Sequence, residues 1–339
     1  MVDISVYENL ESYLMEKGVI NKEEPYSMHY CKGGVSCTVC FVYSGDKQLI
    51  VKQGLEQLKV KETWLCDPNR MNTEQESNRI YHNLMPDCAP RVYDYDDENC
   101  IYWREAVPES WDMWKTDLMA GKLNFNSASK VITTLAIVHN HCAENPEVRE
   151  KFKDKDIFYH LRVSPYIEFI LQKHPQLNDF AQPIIRLLMD SEITLIHGDF
   201  SPKNIMTDSD KISIMDYEVA HYGHPAFDLA FFSNHFILKA IKNKAWAASY
   251  LNMMEYMMDI YFSTVNFMPA DELEKAYIQL LSLLMIARVD GKSPAEYIIE
   301  ESDKQLVRDC AFAIVDNGVE SYKAVAKLIL NKIKEHQGV

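Results

Sequence analysis

The chain has 339 residues, 47% of them hydrophobic, with a formal net charge of -15 at pH 7. That length and apolar content hold a sizeable core, in one large two-lobed unit or in two domains. The negative charge argues against a nucleic-acid or anionic-membrane binder and is compatible with a neutral or cationic small substrate. The start, Met1-Val-Asp-Ile-Ser-Val-Tyr-Glu8, lacks the basic and apolar regions of a signal peptide, and no apolar run is long enough to span a bilayer. Of eight cysteines, only Cys37-Thr-Val-Cys40 forms a close pair, with no second pair to complete a zinc site. Reduced thiols in a cytoplasmic protein are expected.

In chain order, residues 5–17 place Val6, Leu10, Tyr13 and Leu14 at helical spacing, and Gly18 is a stop signal. Residues 32–52 read as strand, a tight turn at Gly45-Asp46, and strand. Gly33 and Gly34 lie at the entry to the first strand, with Ser36 just after them. Glycines there let backbone N–H groups approach phosphate oxygens, although a plain hairpin loop is the better reading of that pair alone. The second strand, Leu49-Ile-Val-Lys52, ends on lysine. In the helical stretch that follows, Glu76, Ile80 and Leu84 fall at i, i+4 and i+8. A carboxylate on a core-facing stripe wants a buried cation, so a Lys52–Glu76 ion pair is expected, with Glu74 as the competing position.

Residues 89–96 and 100–107 read as two further strands around an Asp-rich turn, the second running into Pro108. Trp111 and Trp114 follow, either as an aromatic wall for a substrate or as core packing. Residues 131–143 form a helix on the spacing of Val131, Leu135, Val138 and Cys142, with His139 as a brace for a nearby loop.

The most informative stretch is Leu195-Ile-His-Gly-Asp-Phe-Ser-Pro-Lys-Asn-Ile-Met206, with Ile214-Met-Asp-Tyr-Glu218 after it. Apolar runs on both sides read as short strands holding a polar loop. Asp199, Asn204 and Asp216 supply what phosphoryl transfer needs: a carboxylate to orient an attacking hydroxyl, and an amide oxygen plus a second carboxylate to hold magnesium against a triphosphate. Turn and capping roles are the alternative for each residue alone. Asp228 then opens an apolar helix as a cap or brace. Helical periodicity dominates residues 246–262, 271–289, 303–316 and 319–335. Arg288 ends one of these helices, where it reaches a substrate or phosphate, or else caps its own helix.

The ordered set His197, Asp199, Asn204 and Asp216 resembles the catalytic and metal loops of the protein-kinase-like superfamily. Gly198 stands where protein kinases usually carry arginine, and His-Gly-Asp resembles the aminoglycoside phosphotransferase and choline kinase branch. Leu49-Ile-Val-Lys-Gln53, Lys115-Thr-Asp-Leu-Met-Ala-Gly121, Asp216-Tyr-Glu218 and Phe227-Asp-Leu229 are similar to stretches of 5-methylthioribose kinases.

The resemblance implies an α+β bilobal fold. The N-lobe, residues 1–107, is an antiparallel sheet plus helix that binds nucleotide. The C-lobe, residues 108–339, is larger, mainly helical, and carries catalysis and substrate binding. It further implies ATP and Mg2+ and a small-molecule hydroxyl substrate, methylthioribose or a related sugar, an amino alcohol or an aminoglycoside-like compound. Asp199 is then the catalytic carboxylate, and Asn204 and Asp216 the metal ligands. Lys52, fixed by Glu76, positions the α- and β-phosphates, and Gly33, Gly34 and Ser36 cover them. Backbone near Glu105 and Val107 binds adenine, and Glu218, Arg288 and Trp111 face the substrate. Nucleic-acid and membrane partners are not expected, and the resemblance leaves monomer and homodimer both open. A nucleotide-binding pseudokinase is the reading from another class, but Lys52, Asp199, Asn204 and Asp216 are all present. A protein kinase is disfavoured by the lack of Ala-Pro-Glu after Asp216.

Overall fold

The computed structural model describes residues 2–31, 37–57 and 67–338, which fall into two compact units. The first comprises the chain up to Trp111 together with Ser213–Glu218; the second comprises Asp112–Ile212 and Val219 onward. The division therefore lies a few residues beyond 107, and the first unit takes back the Asp216 segment.

The first unit is built on helix α1 (Tyr7–Glu16), strands β1 (Tyr26–Tyr30), β2 (Cys37–Ser44) and β3 (Lys47–Gly54), helix α2 (Arg70–Leu84), and strands β4 (Val92–Asp96) and β5 (Ile101–Glu105). The strands form an antiparallel sheet in the order β1-β2-β3-β5-β4. Gly45 and Asp46 make the two-residue β2–β3 turn, with Gly45 at φ 55°, a conformation that costs glycine least. Alternation along the strands gives the sheet two different faces. One is apolar: Leu10, Tyr13 and Leu14 of α1 pack with Cys40, Val42, Leu49, Val51, Ile101 and Trp103. The other carries buried polar groups, Lys52 paired in register with Tyr102, and α2 buries Glu74, Gln75, Ser77 and Asn78.

The second unit starts with β6 (Asp112–Met113), α3 (Trp114–Met119) and α4 (Phe125–Cys142). The Asn124 side chain caps α4 by accepting from the Asn126 and Ser127 N–H groups. Helix α5 (Pro146–Phe152) leads to a run formed by α6 (Asp156–Phe158), a π-helical stretch (Tyr159–Glu168) and α7 (Phe169–Lys173). Helix α8 (Asn178–Asp190) precedes short strands β7 (Thr194–Ile196), β8 (Ile205–Asp208), β9 (Lys211–Ile214) and β10 (His221–Gly223). Strand β7 pairs antiparallel with β10, and β8 with β6. Then come α9 (Ala226–Lys242), α10 (Ala247–Thr264), α11 (Ala270–Asp290), α12 (Glu301–Asp316) and α13 (Tyr322–Gln337). Helix α9 is buried from Ala226 to Ile241 and packs against α10 and α11, which makes it the axis of this unit. Met253, Met254, Met257 and Met258 of α10 are fully buried and fill the core. Among the described residues no helix is long and apolar enough to cross a membrane, and no disulfide joins the cysteines.

Two buried histidines make this unit acid-sensitive. His221 of β10 stacks on Phe158, with ring centroids 3.9 Å apart, and the His224 Nδ1 accepts the Ala226 N–H. Burial lowers each from 6.5 to about 4, so both are neutral in the folded chain at pH 7. Unfolding lets them take up protons below 6.5, so stability is full above that value and falls between pH 6.5 and 4. The loss is on the order of 3 kcal/mol for each at the low end. Urea midpoints measured across this range should fall steeply, and the drop should shrink in His224→Gln. A flat profile would contradict neutral burial.

Candidate active site

The polar residues singled out by sequence fall into two groups, one in each unit. In the first unit the β3 lysine, Lys52, lies on the buried polar face of the sheet. Its Nζ is 2.7 Å from Glu74 Oε1 and 2.7 Å from Asp216 Oδ1. The Tyr102 hydroxyl also donates to Glu74 Oε1, at 2.9 Å. Burial works against the Lys52 charge, but the carboxylates of Asp216 and Glu74 outweigh it and hold the ammonium well above its ordinary range. Burial raises the Glu74 carboxyl, and Lys52 opposes that rise.

The partner of Lys52 is thus Glu74, not Glu76. Glu76 is half-buried and accepts from Gln75 Nε2 at 3.0 Å. The expectation followed an apolar stripe, Glu76–Ile80–Leu84, but the face that α2 buries is largely polar and is centred on Glu74 and Asn78.

Asp216 has φ 71°, a left-handed conformation that costs a non-glycine residue about 1–3 kcal/mol and clusters at functional positions. Glu218, two residues on, meets Arg70 Nε at 3.1 Å. Arg70 opens α2 and is fully buried; its remaining nitrogens donate to the Asp67 and Leu55 carbonyls at 2.8 and 3.0 Å. Sequence reading missed Arg70, which carries no periodicity signal. Gly33, Gly34 and Ser36 lie outside the described residues. Glu105 is exposed, its N–H donating to the Arg91 carbonyl, and Val107 is half-buried. Trp111 is half-buried, with its N–H on the Pro108 carbonyl.

In the second unit the loop after β7 is held by its own backbone. The Asp228 carboxylate, at the start of α9, accepts the N–H groups of His197 and Gly198 at 2.7 and 2.9 Å. His139 Nε2 lies 3.3 Å from the same carboxylate, and its Nδ1 is 2.7 Å from the Tyr261 hydroxyl. His139 and Asp228 therefore brace the loop. Gly198 sits at φ 74°, and a Cβ there would lie 2.4 Å from the Val219 carbonyl oxygen, so only glycine fits without a shift.

Asp199 points into a set of donors. Its Oδ1 is 3.0 Å from Arg162 Nη2, its Oδ2 is 2.9 Å from Lys203 Nζ, and Asn204 Nδ2 donates to Oδ2 at 2.8 Å. Arg162 Nε donates to the Gly198 carbonyl at 2.7 Å. The guanidinium thus fixes both the carboxylate and the loop that carries it. Sequence reading missed Arg162. It lies on the π-helical stretch, where Pro165 has no N–H to donate, and such widened turns recur at functional sites. A proline inside a helical pattern was the available signal.

Arg288, near the end of α11, donates Nη1 to the Tyr166 hydroxyl at 3.2 Å and to the Ser293 carbonyl at 2.6 Å. It lines a cavity of about 210 Å³ together with Lys203 of the Asp199 loop. Trp114 is core, packed on Phe232 and Phe236 of α9.

Residues 131–258 match the Phosphotransferase enzyme family. Methylthioribose kinase of Bacillus mycoides is 24% identical over 258 residues, covering 68% of this chain and 66% of that protein. The Bacillus cereus protein of that name is 23% identical, covering 68% and 65%. The match thus spans just under two thirds of these relatives. In fold, an ethanolamine kinase of Plasmodium vivax superposes with a TM-score of 0.57 at 15% identity, covering 93% of this chain and 91% of that one. An amicoumacin kinase superposes at 0.53 with 11% identity, covering 94% and 100%. Residues 131–258 are thus similar to a phosphotransferase family, and the chain shares the α+β fold of the solved ethanolamine and amicoumacin kinases.

Proposed function

We propose that the protein transfers the γ-phosphoryl group of ATP to a hydroxyl of a small metabolite. The observation that carries this reading is Asp199, a carboxylate fixed by Arg162, Lys203 and Asn204 on a loop that Asp228 holds by two backbone amides. A carboxylate so placed orients an acceptor hydroxyl and takes its proton as the oxygen attacks phosphorus and ADP departs. Lys52, held by Glu74, is assigned to the α- and β-phosphates. Backbone near Glu105 and Val107 is assigned to adenine.

Asn204 in the second unit and Asp216 in the first are assigned to magnesium on the chemistry of their own donors. The Asn204 amide nitrogen is committed to Asp199, which leaves its oxygen as the metal donor, and Asp216 adds a carboxylate whose side chain is 38% exposed. Hard oxygen donors, few in number, with phosphate oxygens completing the shell, are what this ion takes. When bound, it neutralises charge on the transferring phosphoryl group. Arg70 holds Glu218 in place beside this segment.

The relatives' name makes methylthioribose the first acceptor to assay; other sugars, amino alcohols and aminoglycosides are the alternatives. ADP formation from Mg-ATP should appear with one acceptor class in a panel of methylthioribose, ribose, choline and kanamycin, extended to the acids described below. Turnover selective for methylthioribose would assign that substrate. ATP that neither raises the melting temperature nor is consumed with any acceptor would overturn the kinase reading.

A further inference from the structure

The cavity beside Asp199 has a local charge opposite to that of the chain. It lies wholly within the second unit, where Lys115, Lys203 and Arg288 line it against a single carboxylate, Glu296. Glu296 is already paired with Lys115. Arg288 donates to neutral acceptors, the Tyr166 hydroxyl and the Ser293 carbonyl and hydroxyl. Among the described residues, the buried Arg288 Nε and the buried Tyr297 hydroxyl have no hydrogen-bond partner. A buried donor left unmatched costs about 1–3 kcal/mol, so these groups favour a ligand that supplies acceptor oxygens. Behind the wall, Lys239 of α9 is fully buried, with its Nζ 5.3 Å from the centre of the Tyr297 ring.

Titrating groups around the cavity report the same positive potential. Burial, then Lys115 and Arg288, push Lys239 down to about 7. Burial, followed by Lys239 and Arg288, holds His235 well below its ordinary value. Burial alone would raise Tyr166, yet Arg162 and Arg288 bring it below 10. In a chain of net charge -15, such a concentration of cations is a built feature of this site.

We infer that the cavity holds an anionic oxyacid group of the acceptor, a carboxylate or a phosphate ester, so the substrate is a small hydroxyl compound that carries a negative charge. This rests on the phosphotransferase reading of Asp199 and narrows it. Arg288 and Lys115 bind the anion, and the Tyr297 hydroxyl donates to it. Lys203 lines the cavity and also touches Asp199, which sets the anion near the hydroxyl that Asp199 deprotonates. A quaternary ammonium or an aminoglycoside would meet like charge here. The volume, about 210 Å³, lies below the range of about 300–1,000 Å³ that drug-sized ligands occupy, and suits a small metabolite.

The test uses the full chain with Mg-ATP and two readouts, calorimetric binding of the acceptor and ADP formation. The probes are D-glycerate and D-gluconate for carboxylates, glycerol 3-phosphate and ribose 5-phosphate for phosphate esters, and ribose, methylthioribose and choline as uncharged and cationic comparisons. One anionic class should bind, and the class that does identifies the oxyacid. Arg288→Met should raise its dissociation constant and KM about 10- to 100-fold, with the KM for ATP changed by less than about twofold. Lys115→Met serves as the second variant, with circular dichroism confirming that each is folded. The inference is overturned if no anionic probe binds or if ribose, methylthioribose or choline is turned over faster than every anionic probe. It is equally overturned if both variants weaken ATP and leave the acceptor unchanged. Anion binding that depends on Arg288, with no ADP formed and no ATP binding, would support the anion site while removing the kinase reading.

Discussion

Replacing Asp199 by Asn should lower kcat by about 10²- to 10⁴-fold, the range that a positioned general base contributes. The substitution keeps the shape of the side chain but removes the charge and the basic oxygen. It also costs stability. Arg162 and Lys203 each lose a charged acceptor, and a net loss of about 1–3 kcal/mol is expected for hydrogen bonds of that kind. The kinetic effect must therefore be measured below the melting transition, with ATP affinity checked by calorimetry. ATP binding should persist, because the groups assigned to its phosphates lie elsewhere in the chain, at Lys52 and Glu74. A kcat within about tenfold of the unmodified protein would remove Asp199 from its assigned role.

The second large effect separates two glutamates two residues apart in one helix. Glu74→Ala leaves the Lys52 ammonium buried with only Asp216 beside it, and strips the Tyr102 hydroxyl of its acceptor. Breaking a buried ion pair costs about 3–5 kcal/mol, and the remaining carboxylate puts this case at the lower end. Glu76→Ala removes a half-buried side chain that is not the partner of Lys52, and should cost clearly less stability than Glu74→Ala. Urea unfolding of the two variants side by side decides between them. Equal losses would return the ion pair to Glu76.

That contrast also marks where sequence reading succeeds and where it stops. The β2–β3 hairpin and its lysine were legible because alternation and a Gly-Asp turn are local signals. The Asp199 loop was legible because its polar residues sit at fixed spacing between apolar strands. The phase of α2 was not. Hydrophobic periodicity assumes that the buried face is apolar, and α2 buries Glu74, Gln75, Ser77 and Asn78 against a polar sheet face. Arg70 and Arg162 were missed because each acts through a partner far away in the chain, Glu218 and Asp199. Net charge is a coarser guide of the same kind. A total of -15 is compatible with a neutral or cationic substrate, whereas the cavity beside Asp199 is lined by three cations and one carboxylate. Composition sums over a surface, and recognition depends on a few side chains that the fold gathers.

Gly198 bears on how such a protein can be controlled. Where the resembling protein kinases carry arginine, this chain has a left-handed glycine with a carbonyl oxygen 2.4 Å from any Cβ. An arginine next to a catalytic aspartate can act as the receiver for a phosphorylated loop, and switching then consists of filling or emptying that receiver. Steric closure removes it here. The loop is instead tied by Asp228 and Arg162, which are permanent parts of the chain. On the proposed phosphotransferase reading, the loop that carries Asp199 is held in its folded position by groups of the chain itself, with no added phosphate needed to order it.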